Sequence, residues 1–199
     1  DIIEMNEKML RLIWKEIKGM DVPPLRRIDY FEAMDRYGSD KPDTRFGMEI
    51  QDLSKLLVNC GFKVFDDVLS RGGIVRGLSV PGGSTFTRGQ FDKLTDLAKK
   101  NGAKGLVWLK PEADGTINSP ISKFFTQEKL KEIFKALGCT DKDCGLIVSD
   151  DYDPTCAALS SLRLQLGRDL KLIDFNKYNF LWVVNFPLLE YSPDDKRWV

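Results

Sequence analysis

The chain has 199 residues, 42% of them hydrophobic, enough to bury the core of one large domain or two small ones. Its 30 basic and 30 acidic side chains cancel, which excludes the broad positive charge of a dedicated nucleic-acid domain but not a local basic patch. No apolar run approaches the ~18 residues that span a bilayer, and the N-terminal DIIEMNEK is not a signal peptide.

Asp1 and Glu4 have capping-box spacing, and Ile2, Met5, Met9, Leu10, Ile13 and Ile17 follow at helical intervals. They predict a helix that Gly19 stops. Pro23 and Pro24 impose an extended piece, VPPLRRI. Asp29 and Glu32 repeat the cap signal for a short helix to Tyr37, ended by Gly38. The charged stretch RYGSDKPDTRFG, residues 36–47, leaves that helix as a loop, and EIQDLSKLLVNCG predicts a third helix ending near Asn59. FKVF and GIVRGLSV read as short strands. Thr87 and Gln90 cap a helix to about Asn101; KGLVWLK is a strand and ADGT a turn. Thr126 caps the helix QEKLKEIFKALG, and CGLIVSD is a strand. Pro154 lies in the first turn of the helix PTCAALSSLRLQLG, which Gly167 stops. FLWVVNFPLLEY is the longest strand-like run, apolar on both faces. A charged turn, SPDDKR, then leads to a second hairpin strand closing on Val199. The apolar stripes of the first helix and of LWVVNF are expected to be core.

Residues 62–152 thus form a strand-and-helix block between pieces of different texture, the pattern of one domain inserted into another. Three segments follow: 1–61, 62–152 and 153–199. The lack of an initiator methionine and of histidine, and the apolar close of DDKRWV, read as marks of an excised piece, with functional residues outside it. The cysteines Cys60, Cys139, Cys144 and Cys156 form no CxxC pair and have no histidine to complete a zinc site. They fit reduced, mostly buried thiols of a cytosolic protein.

Four segments carry a resemblance: YFEAMDRYGSDKPDTRFGMEIQDLS, LSVPGGSTFTRGQFDKLTDLAKKNGAKGLVWLK, INSPISKFF and LWVVNFPLLEY. In order and spacing they resemble bacterial-type aspartyl-tRNA synthetases over essentially the whole chain. The resemblance implies an α+β fold. The inserted α+β domain is shared with tRNA-dependent amidotransferase subunits, and its flanks are pieces of a class II antiparallel-sheet catalytic domain. It further implies a cytoplasmic, homodimeric parent enzyme that uses ATP and magnesium to activate aspartate and passes it to the 3′ end of tRNA. The family's ATP- and aspartate-binding arginines and its His-His-Pro segment would lie outside this stretch, so no catalytic, cofactor or metal residue is expected within it. Asn185 stands where the family usually has aspartate. The alternatives are an amidotransferase subunit domain and a non-catalytic RNA- or protein-interaction module.

Five cations are candidate contacts for tRNA, especially its acceptor arm, or for the active-site rim. Lys41 and Arg45 sit in the charged loop, where Asp40 and Asp43 offer internal partners around Pro42. Arg76 and Arg88 flank VPGGSTFTR, whose glycines admit close backbone approach but do not match a P-loop. Lys123 stands beside Phe124 and Phe125, a conceivable stacking platform whose aromatics equally suit a core. Lys99, Lys100, Lys104 and Lys110 form a mild basic patch that also complements a helix end.

Overall fold

Two seven-residue apolar strands, β3 (Ile74–Val80) and β6 (Cys144–Asp150), pair antiparallel along their whole length, from Ile74 opposite Asp150 to Val80 opposite Cys144. The computed structural model describes all residues except 190, 193, 194 and 199, and only the backbone at 191 and 192. Strands β2 (Gln51–Asp52), β4 (Val107–Pro111) and β5 (Ile117–Asn118) complete an antiparallel sheet in the order β2-β3-β6-β4-β5.

Alternation along the strands sends side chains to two separate cores. Leu78, Val80, Leu146 and Val148 meet α4 (Arg88–Lys100) and α6 (Tyr152–Asp169) through Phe91, Leu94, Leu159, Leu162 and Leu166. Val75, Leu109 and Ile147 meet α3 (Lys63–Ser70) and α5 (Gln127–Ala136) through Phe65, Leu130, Ile133 and Phe134. Helices therefore cover both faces, which is why apolar side chains on both sides of β3 and β6 are buried although the sheet is antiparallel. The packing crosses the boundaries of the 62–152 block: Ile50 and α6 share the first core, and Leu53 and Leu57 the second.

The two ends of the chain meet. β1 (Arg26–Asp29) and β7 (Leu181–Val184) form a parallel pair, and α2 (Tyr30–Tyr37) buries Ala33 and Tyr37 with Ile28 against Leu181 and Val183. β8 (Tyr191–Ser192) and β9 (Arg197–Trp198) make the terminal hairpin; the final Val199 lies outside the described residues.

The anticipated caps form. Asp1 accepts from the Ile3 amide, Asp29 from the Phe31 amide, Thr126 from the Lys129 amide, and Thr87 with Gln90 makes a capping box. Four expectations are corrected. FKVF is helical, because Phe62, Phe65 and Val68 bury at helical spacing and the Asp66 carboxylate accepts from the Cys60 and Gly61 amides. EIQDLSKLLVNCG is no helix: Ser54 Oγ accepts from the Val75 amide, the edge of β3 takes Gln51 and Asp52, and only a 3₁₀ turn, Lys55–Leu57, follows. Gly167 does not stop α6 but lets the Phe46 ring pack directly on it. The first helix, α1 (Ile2–Lys18), and the LWVV strand are not core: α1 buries no residue, Ile2 is 75% and Ile17 73% exposed, and β7 is half-buried. A helical period reveals an apolar stripe, not what covers it. α1 is held through Trp14, edge-on to Tyr178 and Phe180, and through Glu7, which accepts from the Trp182 indole at 3.0 Å.

At the end of β6, Asp150 is 2% exposed and pairs with Arg71 and Lys104, each at 2.8 Å, while accepting the Asp151 amide at 3.0 Å. Burial pushes its pKa up, but the hydrogen bonds from Lys104, the Asp151 amide and Arg71 prevail and hold it below its ordinary 3.8. A depressed folded pKa contributes stability above the unfolded value, and that stability is lost as pH falls through the folded one. Asp150→Asn should therefore destabilise the protein at pH 7 and flatten the fall in stability below about pH 4. Urea denaturation across pH 2.5–7 measures both effects; identical pH profiles for the two proteins would contradict the assignment.

Candidate functional site

The charge-dense loop joins α2 to β2 and is tied at every charge but Lys41 and Asp40. Gly38 caps α2 in the left-handed region, φ 69°, with its Cα against the Cys156 carbonyl. Arg36 clamps Glu49 through two hydrogen bonds of 3.0 and 2.6 Å and also reaches Glu32; Tyr37 donates its hydroxyl to Glu49. Arg45 forks onto Asp43 at 3.0 and 2.7 Å and lies over the Phe175 ring. The Arg36 and Arg45 guanidinia hold the Glu49 and Asp43 carboxyls, respectively, below the usual carboxylate range. The Asn179 amide donates to the Thr44 carbonyl.

Beneath the loop lies Arg163 of α6, 1% exposed. Its guanidinium donates to the carbonyls of Phe46, Gly47 and Met48 at 3.0, 2.9 and 3.1 Å and sits between the Phe46 and Tyr37 rings. Burial pulls its pKa down, opposed by Tyr37 and by the nearby charges of Asp43 and Glu49. Arg163 is absent from the sequence-derived candidates. Its one signal is an arginine flanked on each side by a leucine, Leu162 and Leu164.

Lys41 is exposed, and among the described residues no carboxylate lies within ion-pair distance of its ammonium. It borders two grooves. One, of about 430 Å³, is lined by Pro42, Asn179, Phe180, Val183 and Phe186; the other, of about 320 Å³, by Arg45, Lys177 and Tyr178.

The remaining candidates separate. Arg76 turns inward, 7% exposed, its Nη1 2.8 Å from Asp35 and its Nε 3.4 Å from Asp52, with the Tyr152 ring beneath it. Burial opposes its charge, yet Asp35 raises its pKa. Tyr152 donates to the same Asp35 carboxylate at 2.7 Å. The idea of Arg76 as a phosphate contact beside Arg88 is corrected: strand alternation points it at the α2–α6 junction, where it links α2, β2 and β3. Arg88 is exposed on a groove of about 610 Å³ with Trp108, Lys110 and Asp92. Lys123 is exposed with its ammonium 5.0 Å from the Phe124 ring; Phe124 is 47% exposed, and Phe125 packs on the second core. Lys104 pairs with Asp150, and Lys110 donates to the Phe86 carbonyl, so the expected lysine patch is partly internal.

Asn185, φ 57°, donates its amide to Asp29 at 3.0 Å. The position uses a donor here, and an aspartate would set two carboxylates face to face. All four cysteines are free thiols, and burial raises Cys139 and Cys156 to about 11, so they stay protonated and unreactive at neutral pH. Among the described residues no three His, Cys, Asp or Glu side chains converge to hold a metal ion. Among the described residues no helix is long and apolar enough to cross a membrane.

The loop's geometry begins at Gly38. Gly38→Ala would force a methyl group into the Cys156 carbonyl and an alanine into the left-handed region. We expect a loss of about 3 kcal/mol, the sum of backbone strain and overpacking, measured by urea unfolding. A change below 0.5 kcal/mol would contradict this packing.

Residues 65–159 match the GAD domain family. The whole chain aligns with the Aspartate–tRNA ligase of Halalkalibacterium halodurans at 47% identity over 201 residues, 34% of that protein. The Aspartate–tRNA(Asp/Asn) ligases of Thermoanaerobacter pseudethanolicus and Moorella thermoacetica are 45% and 47% identical over 200 residues, again covering all of this chain and 34% and 33% of theirs. The chain spans about a third of the length of these curated relatives. Over all 199 residues, then, the chain is similar to a segment of bacterial aspartate–tRNA ligases, with a GAD-domain match over residues 65–159.

Proposed function

We propose that this chain is the middle of an aspartate–tRNA ligase that activates aspartate with ATP and magnesium and transfers it to the 3′ end of tRNA. The observation that carries the reading is the alignment of the entire chain, flanks included, with proteins named aspartate–tRNA ligases. An amidotransferase subunit is not favoured, because such a relationship concerns the inserted domain and leaves the flanks unexplained.

In this reading residues 62–152 are the insertion, residues 1–61 are the first catalytic-domain segment, and residues 153–199 are the return helix, packed on the insertion's sheet, followed by the second catalytic-domain segment. The parallel pairing of β1 with β7 supports it, since the flanks meet each other on the far side of the block. The exposed apolar stripe of α1 would pack against parts of the enzyme beyond this chain, and ATP, magnesium and aspartate would be held there. The role of this chain is to place the insertion and the loop 38–50 against tRNA. Lys41, Arg88 and Lys123, all exposed, are the contacts this geometry supports; Arg45 shapes the loop through Asp43.

Two measurements test the reading. The full-length protein should charge tRNA(Asp) with aspartate, whereas the 199-residue chain alone should give no ATP–pyrophosphate exchange. Exchange by the isolated chain, or no charging by the full-length protein, would overturn it. Binding of the full-length protein to tRNA should also weaken with added salt, with a slope set by the number of phosphates contacted.

A further inference from the structure

Arg163 is a buried charge with an unusual set of partners. Among the described residues it makes no ion pair; it satisfies three consecutive backbone carbonyls of the loop and is enclosed by two aromatic rings. An unpaired buried charge is costly, and an apolar side chain would fill the same space more cheaply. What an apolar residue cannot do is satisfy three converging acceptors. A planar guanidinium with five fixed donors can, and a lysine ammonium, with three donors on a flexible stem, cannot hold the same fan. The carbonyls lie where the backbone is strained, with Met48 at φ 63°. Without the fork this turn would relax.

The fork also reaches across the fold. Arg163 belongs to α6, whose neighbouring leucines are locked into the core of the sheet, so it references the loop to the rigid block. Gly38 and the Arg36–Glu49 clamp fix the loop's ends, and Asn179 fixes Thr44. Pro42 stiffens the chain beside Lys41. The result is a projecting cation, Lys41, beside Asp40 and flanked by grooves that contain Phe180, Phe186, Tyr178, Asn179 and a second lysine, Lys177. Cation, aromatic faces and amide together suit a single-stranded nucleic acid, phosphate on the lysine and bases on the rings.

Resting on the ligase reading above, we infer that Arg163 is a positioning residue that holds Lys41 at a phosphate of a single-stranded stretch of tRNA. Arg163 never touches the RNA; its effect passes through the loop.

The test uses the full-length ligase carrying Lys41→Ala, Arg163→Lys or both. Lys41→Ala should weaken tRNA binding about fivefold to tenfold at 0.1 M salt and lower the slope of log affinity against log salt by about 0.7–0.9, one phosphate contact. Arg163→Lys should give the same slope loss, although the residue is buried and keeps its charge, with the effect falling on the KM for tRNA. The double variant should be no worse than Lys41→Ala within twofold. A purely structural role would lower Tm and leave the salt slope alone. If Arg163→Lys folds poorly, Phe46→Leu, which removes one ring flanking the guanidinium, should reproduce the slope loss. An unchanged slope in these variants, an additive double variant, or a shift confined to the KM for ATP or aspartate overturns the inference while wild-type charging of tRNA upholds the ligase reading. A wild-type protein that charges no tRNA overturns both.

Discussion

The structure depends on covering both faces of a small antiparallel sheet. β3 and β6 cannot present a face to water, since Val75 and Ile147 are as buried as Leu78 and Leu146. Four helices are needed, and only α3, α4 and α5 come from within the block. The fourth, α6, is the return segment, and it buries Leu159, Leu162 and Leu166 on the sheet. The block therefore cannot complete its core without drawing in its own exit, and β2 on its edge draws in its approach.

That constraint explains the polar chemistry at the junction. Where α2 meets α6 and the sheet, Arg76 pairs with Asp35 and Asp52 and Tyr152 donates to Asp35, linking the four elements α2, β2, β3 and α6. Where the loop crosses α6, Arg163 satisfies carbonyls that an irregular backbone leaves without ladder partners. Exposed ion pairs stabilise by only about 0–1 kcal/mol, so the loop's charges are better understood as setting geometry than as supplying stability. The bidentate pairs Arg36–Glu49 and Arg45–Asp43 have the fork geometry that suits this role.

The flanks obey a different logic. β1, α2 and β7 share a small core of their own around Ile28, Ala33 and Tyr37, and α1 lies against them with its apolar stripe exposed. The two bodies are joined through Asp35, Gly38 and Tyr152 at one corner and Asn179 and Thr44 at another. These contacts fix the loop 38–50 relative to both bodies.

Much of this was legible in the residues alone. Caps at Asp1, Asp29, Thr87 and Thr126, the stops at Gly19 and Gly38, and the strands GIVRGLSV, KGLVWLK and CGLIVSD are local signals, carried by side chains within a few positions of the backbone they direct. The family resemblance was legible for the same reason, as runs of residues in order. FKVF failed because four letters cannot separate a period of 2 from one of 3.6, and Phe62, Phe65 and Val68 declare the helix only over a longer window. EIQDLSKLLVNCG failed because Leu53 and Leu57 bury at helical spacing in a segment that β3 captures as an edge. The directions of Arg76 and Arg163 depended on strand alternation and on which helix closes the sheet. These are long-range choices, settled when distant segments bury surface together, and no neighbouring residue records them.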